Sequence, residues 1–339
     1  MRLYIILLQK DFEVMKASVM IPMHNAGKTL RSCLEALREA MPADAELLAV
    51  DDYSTDNSYA IAAEYADRIY RFESHRGRAA ARNAAIEMAH GEILIFVDSD
   101  VIVRKESLNL IIEFFCNHPE VSAVTGVLSK EHPNPDFLSQ YKNLYMHYTF
   151  MRAPEDIRFL YGSIHALRKE IVKKYDTTLS LTDDTALGQD LFRAGKVIKL
   201  LKTLQVVHLK KCEWFSLIRN DFQVPYDWAC IFIEKQGWLQ LGKGGTGFAH
   251  APKEQLLAIM AASLCSLAGV FSLWRPAVFE VLLVLLPVWF LLTLKFHWFL
   301  KRERGFVFFL KALPWTFFDH LVMAAGITAG LLTGQFVKK

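Results

Sequence analysis

Between residues 17 and 211, short apolar runs alternate with segments whose apolar positions recur every three or four residues. This is the pattern of strands and helices in an α/β layered fold. Ser18-Val19-Met20-Ile21 predicts a first strand, and Leu30, Cys33, Leu34, Leu37 and Met41 follow at helical spacing. Residues 46–50 predict a second strand ending at Asp51-Asp52, 69–72 a third, 78–90 a helix, and 92–97 a fourth strand ending at Asp98-Ser99-Asp100. A later strand is predicted at 204–207. Polar clusters thus recur at the carboxyl ends of strands, where open α/β sheets bind ligands.

The last third of the chain has a different pattern. Residues 256–274 carry no charge over 19 positions, and at 1.5 Å per residue they extend about 28 Å, close to the thickness of a bilayer core. A second apolar segment runs over 277–294 with Glu280 near one end and Pro287 inside. A third starts at Thr316 or Phe317 and ends at Thr333, with Asp319 and His320 near its start. Such a pair is either functional within the membrane or, at a helix start, interfacial. Lys295, Lys301, Arg302, Arg304 and Lys311 fall between the second and third segments, and by the positive-inside rule that joint is cytoplasmic. Three spans then put everything before Leu256 in the cytoplasm. The terminal Lys338-Lys339 pair counts mildly against that orientation. Trp289, Trp298 and Trp315 suit interface anchors. Residues 214–241 mix aromatic and charged positions as a helix lying on the bilayer surface does, and a packed helix would share that pattern.

Composition narrows the reading. The 339 residues are 53% hydrophobic and 22% charged, and the mean hydropathy of +0.18 is high for a wholly water-soluble fold. A formal charge of +3 from 39 basic and 36 acidic side chains gives no polyanion-binding field, which disfavours nucleic acid as a partner. Five cysteines without paired spacing give neither a disulfide framework nor a zinc site and suit a reducing compartment. The apolar run Leu3 to Leu8 is shorter than the core of a secretion signal and lacks a cleavage site, so residues 1–16 read as an extension or a start-site artefact.

Candidate chemistry gathers on one edge of the predicted sheet. Two carboxylates flanking Ser99 at the end of a buried strand need a cation or hydrogen-bond donors, and hard oxygen ligands suit Mg²⁺ or Mn²⁺ with a diphosphate. The same residues would also cap a turn. Asp51-Asp52-Tyr53-Ser54 offers acceptors to a base and ribose, or simply a turn. Arg78 and Arg82 after Gly77 suit phosphate, or a solvated helix face. Thr182-Asp183-Asp184-Thr185 precedes a helix: its carboxylates either cap that helix or take a proton from an attacking hydroxyl. His208 follows the last predicted strand and would complete a metal site or serve as a core residue. Gly242, Gly244 and Gly247 fit a dinucleotide-loop spacing but lack the strand and helix such a loop needs, and no phosphate-loop motif of the GxxxxGK[ST] kind occurs.

Taken in order, Ser18-Val19-Met20-Ile21-Pro22 with Asn25, Val50-Asp51-Asp52-Tyr53-Ser54-Thr55-Asp56, Gly77 to Ala81-Arg82-Asn83, and Asp98-Ser99-Asp100 resemble the family 2 glycosyltransferases of the GT-A fold. The resemblance covers about residues 17–208, and Asp183-Asp184-Thr185 through Gly195 resembles that family's ED-containing segment. It implies inverting transfer from a nucleotide-diphosphate sugar. Pro22, His24, Asp51, Asp52, Gly77, Arg82 and Asp98 would lie around the donor, a metal would sit on Asp100, Asp98 and His208, and Asp184, with Asp183, would serve the acceptor hydroxyl. Met23-His24, Tyr53 and Asp183 depart from the residues common in the family, and the QxxRW motif of processive synthases is absent. The expectation is therefore an α/β GT-A catalytic domain at 17–211, an interfacial segment and glycine-rich joint at 212–254, and about three transmembrane helices at 255–335. Its cofactor would be Mg²⁺ or Mn²⁺, and its acceptor lipid-linked or membrane-proximal. Two other readings compete: a nucleotidyltransferase making the activated sugar, whose glycine-rich, lysine-bearing loop is missing, and a catalytically silent membrane scaffold.

Overall fold

The structure is a computed structural model that describes residues 16–179, 181–234 and 252–334. The run at 3–8 and the glycines at 242–247 lie outside the described residues.

Four parallel strands open the fold: β1 (Ala17–Met23), β2 (Glu46–Asp51), β3 (Arg68–Arg71) and β4 (Ile93–Val97). They are joined by α1 (Leu30–Ala40), α2 (Ser58–Tyr65) and α3 (Arg78–Met88). Every residue of β1 and β4 is buried, as expected of strands covered on both faces. α1 buries Leu30, Cys33, Leu34 and Leu37, one stripe at helical spacing, and ends before Pro42, which disfavours helical backbone at Met41. α3 buries Ala79, Ala81 and Ala85, small side chains that let the helix sit close to the sheet, and with them the whole of Arg82.

The second half of the sheet is mixed. β5 (Val101–Ile102), α4 (Ser107–Asn117), β6 (Val121–Leu128), α5 (Phe137–Arg152), β7 (Ile164–Arg168), α6 (Asp183–Arg193) and β8 (Val197–His208) complete an eight-stranded sheet of order β3-β2-β1-β4-β7-β6-β8-β5. β7 runs antiparallel to both neighbours, while β6 and β8 are parallel. β8 begins seven residues before the predicted 204–207, because Lys199, Lys202 and Thr203 break the apolar run of a strand that buries only alternate positions.

α7 (Trp214–Glu234), α8 (Lys253–Ser272), α9 (Phe279–Arg304) and α10 (Phe306–Thr333) follow. Three segments, Lys253–Phe271, Pro276–Arg304 and Phe306–Thr333, are long and apolar enough to cross a membrane. Two boundaries differ from expectation. The basic joint around 295–311 is helical, interrupted only by Gly305 at φ +85°, so the third helix begins about ten residues before Thr316. Charge marks where a helix meets water, not where it ends. Asp319 and His320 consequently lie in mid-helix and buried, with His320 Nδ1 accepting from Trp289 Nε1 at 3.1 Å. Trp289 and Trp315 are packed inside, leaving only Trp298 of the three expected anchors exposed.

α7 lies along α10. A Cβ at Gly326 would stand 2.2 Å from the Phe222 carbonyl oxygen, and one at Gly330 would stand 2.4 Å from that of Tyr226. Small residues let two helix backbones approach closely. That face of α7 is packed against protein.

Candidate active site

The parallel strands end at one rim, and the loops that follow build one half of the site. The Asp52 carboxylate accepts the backbone N–H groups of Arg76 (2.7 Å) and Gly77 (2.8 Å) and faces His75 Nδ1 at 2.9 Å. Gly77 has φ +89°, a conformation side chains resist, and it delivers its N–H to Asp52 just before α3 starts. His24 donates from Nδ1 to the Asp52 carbonyl (2.7 Å) and lies 4.3 Å, centroid to centroid, from His75. Pro22, His24, Asp52, His75, Gly77 and Arg78 line a cavity of 390 Å³ that also reaches Asp98 and Asp100.

Asp98-Ser99-Asp100 is clamped from both sides. Asp98 N–H donates to the Ser163 carbonyl (3.2 Å), Thr29 Oγ1 to the Ser99 carbonyl (3.0 Å), and Leu209 N–H to the Asp100 carbonyl (2.7 Å). β5 pairs antiparallel with β8, Val101 opposite His208, which brings His208 Nε2 to 3.6 Å from Asp100 Oδ2.

Behind this loop is a buried charge cluster. Asp183, fully buried, takes Arg78 Nη2 on Oδ1 (2.6 Å) and Arg82 Nη1 on Oδ2 (2.7 Å), and Arg82 Nη2 reaches Asp98 Oδ1 (3.1 Å). Asp184, next in sequence, instead opens to the site. Its Oδ2, Arg82 Nη2 and Asp98 Oδ2 lie 2.9, 3.1 and 3.4 Å from the point a Cβ would occupy at Gly162, so a side chain there would press on these charged groups. The two neighbours titrate apart. Burial raises the Asp184 pKa to about 6, with the Asp183 charge adding to the effect against the two arginines. Burial also works against the charge on Asp183, but Arg82 and Arg78 outweigh it and hold the pKa at about 2. Asp98 is pushed up by burial, partly offset by Arg82 and Arg78.

Arg78, Asp98, Asp100, Asp184 and His208 also line a second cavity, of 320 Å³, which continues past Tyr161 and Gly162 to Lys142, Asp221, Gln255 and Met323. One concavity therefore touches both the carboxylates and the helices α7, α8 and α10. On its floor Lys142 pairs with Asp221.

Three expected site residues lie elsewhere. Asp51 is wholly buried, accepting Ser54 N–H (3.0 Å) and pairing with Arg71 (3.2 Å), and lines neither cavity. Arg82 has no exposed surface and lines neither, so it orients Asp98 and Asp183 from behind. Both oxygens of Asp183 are committed to arginines, which leaves none to take a proton. Pro22, His24, Asp52 and Gly77 line the first cavity, Asp184 and His208 the second, and Asp98 and Asp100 both. His75 and Gly162 had no sequence signal, while Arg78, one helical turn before Arg82 and read with it as suited to phosphate, lines both cavities.

For a divalent cation the Asp98, Asp100 and His208 donors match Mg²⁺ or Mn²⁺ chemistry. Among the described residues, however, the group of three His, Cys, Asp or Glu donors that lie within 4.8 Å of one another is His24, Asp52 and His75, not the expected Asp98, Asp100 and His208, and the Asp52 oxygens already serve two N–H groups.

Fold and site together define a GT-A-like α/β domain followed by three helices long enough to span a membrane. Residues 18–176 match Glycosyl transferase family 2, and the chain carries a domain of that family. It is 39% identical over 102 residues to a poly(ribitol-phosphate) beta-glucosyltransferase of Bacillus spizizenii, covering 28% of this chain and 16% of that protein. To the O-antigen chain rhamnosyltransferase RfbN of Salmonella typhimurium it is 23% identical over 261 residues, 71% of this chain and 80% of that one. The chain spans only 16% to 32% of the curated relatives it matches at 36–39% identity. In fold it is similar to the mannosyltransferase PcManGT of Pyrobaculum calidifontis, solved with GDP-Man and Mn²⁺ (TM-score 0.57, 15% identity, 95% of this chain and 88% of that one). It is also similar to S. aureus TarS 1-349 in complex with UDP-GlcNAc (TM-score 0.52, 21% identity, 95% and 92%).

Proposed function

We propose that this chain transfers a sugar, with inversion, from a nucleotide-diphosphate sugar to a lipid-linked or membrane-proximal acceptor, assisted by Mg²⁺ or Mn²⁺. The observation that carries the reading is that Arg78, Asp98 and Asp100 line both of two cavities, one beside Asp52 and the start of α3, the other holding Asp184 and reaching the apolar helices. The fold neighbour solved with GDP-Man and Mn²⁺ and the relative named as a rhamnosyltransferase support it.

In this reading the base lies against His24 and His75 beside Asp52, and the diphosphate lies at Arg78. Asp98, Asp100 and His208 would hold the cation, whose chemistry is to neutralise charge developing on the leaving diphosphate. Asp184, with a pKa near neutrality, accepts the proton of the acceptor hydroxyl on the opposite face of the sugar. Arg78 and Arg82 keep Asp183 ionised, and Arg82 holds Asp98 in place. The helices hold the enzyme at the bilayer, where an acceptor confined to the membrane is concentrated around it. In this reading the protein is multi-pass with its catalytic domain on the cytoplasmic side, an orientation the basic residues at 295–311 support.

The test is a screen of UDP-, GDP- and dTDP-sugars bearing labelled sugar, with Mg²⁺ or Mn²⁺, against membrane lipid extracts. Label moving into an organic-extractable product with the wild type, and not with Asp100→Ala, is the expected result. Transfer only to soluble acceptors would remove the lipid-linked part, and unchanged turnover in Asp100→Ala the metal assignment.

A further inference from the structure

A third concavity, which shares no lining residue with the other two, lies where α9 meets α5. Its walls are Tyr148 and Arg152 of α5 and Leu294, Lys295, Trp298, Phe299 and Arg302 of α9, around a volume of 560 Å³. Lys295, Trp298 and Arg302 stand at i, i+3 and i+7 and so share one helix face, and Tyr148 and Arg152 stand at i and i+4 on the facing helix. Tyr148 packs on Phe299 at 5.2 Å between centroids, which fixes the two faces against each other.

Charge and position define what fits. Arg152, Lys295 and Arg302 are all exposed, and no carboxylate lines the groove. The nearest acids are Glu303, 3.4 Å from Arg302 but also held by Lys130 at 3.0 Å, and Glu254, close enough to act on the Tyr148 hydroxyl. Three cations thus line the groove, with both neighbouring acids outside its lining. Counting along α9 from Phe279, the sixteen residues to Leu294 rise about 24 Å, most of a bilayer core, so Lys295 marks where the helix leaves hydrocarbon. Trp298, 61% exposed one turn further on, is the kind of side chain that sits at headgroup level. The groove therefore has a basic end in the phosphate layer and an apolar end, Leu294, in the acyl layer.

We propose that this groove binds the headgroup of an anionic phospholipid, its phosphate between Arg152, Lys295 and Arg302 and its glycerol and upper acyl chain along Trp298, Phe299 and Leu294. The bound lipid bridges α5, a helix of the catalytic domain, to α9. The proposal rests on the membrane placement above and is independent of the sugar-transfer chemistry.

The test is native mass spectrometry of the full chain, extracted in mild detergent and offered phosphatidylglycerol and phosphatidylcholine of equal chain length. Wild type should retain phosphatidylglycerol in clear preference. Lys295→Gln and Arg302→Gln should each weaken that retention about fivefold, the equivalent of about 1 kcal/mol per cation at an anionic surface. Lys311→Gln, on the far side of Gly305, should leave it unchanged. Equal retention of the two lipids, or an equal loss in Lys311→Gln, would reduce the effect to general surface charge and overturn the site. Displacement of the lipid by millimolar glycerol phosphate would assign the groove to a free phosphate instead. A chain released from membranes by alkaline carbonate would overturn the bilayer placement and this site with it, whereas failure of sugar transfer alone would leave it standing.

Discussion

The two halves of the cleft are built differently. On the donor side Pro22, His24, Asp52, His75 and Gly77 come from consecutive βα units, held by backbone N–H groups at the ends of parallel neighbouring strands. On the far side Lys142, Asp184, His208, Asp221, Gln255 and Met323 come from α5, α6, β8, α7, α8 and α10, over more than half the chain. The first half is a property of local topology: any parallel βα array delivers its loops to one rim. The second exists only once distant helices have packed.

Asp183 and Asp184 show the contrast at its sharpest, and the largest expected effect falls on them. Asp184→Asn should lower turnover about a thousandfold, within the range for losing a general base, with little change in thermal stability. Asp183→Asn should do the reverse first: leaving buried Arg82 with Asp98 alone and Arg78 without its carboxylate should destabilise the fold by about 3–5 kcal/mol, read as a lowered unfolding midpoint. Equal effects of the two substitutions would dissolve the distinction between them.

The pH profile sharpens it further. Only ionised Asp184 can take a proton, so turnover should rise about tenfold per pH unit below about 6 and level off above it. Asp183, held near 2, contributes stability that is present above the ordinary carboxylate range and lost only as pH falls toward 2, so no unfolding step should accompany the activity limb. On the donor side smaller effects are expected. His24→Ala should raise the KM for the nucleotide sugar roughly tenfold, the worth of one stacked base, with kcat little changed. Gly77→Ala, at φ +89° with open space around it, should cost about 1–2 kcal/mol of stability through backbone strain alone.

How much was legible follows the same division. The order Pro22, Asp52, Gly77, Asp98, Asp100 pointed to one rim because each residue ends a strand or starts a helix. Asp51 was indistinguishable from Asp52 by type and position; only β2 geometry turns it inward to Ser54 and Arg71. Arg82 suited phosphate as a basic residue on a helix, yet the alanine-lined face of α3 buries it against Asp183. The basic joint at 295–311 stands out in the sequence because its charges interrupt the apolar run, yet α9 and α10 continue through it, parted by Gly305.

Periodicity and motif order were enough to establish an α/β layered domain, its rim of carboxylates and three apolar helices, because burial imposes spacing and spacing is written in the chain. Which of two adjacent aspartates is neutralised by arginine and which faces the cavity, what a side chain at position 162 would crowd, and that a cavity joins the carboxylates to the apolar helices, all depend on residues distant in sequence. Burial and ion pairing set a carboxylate's proton affinity, and both are properties of the packed molecule.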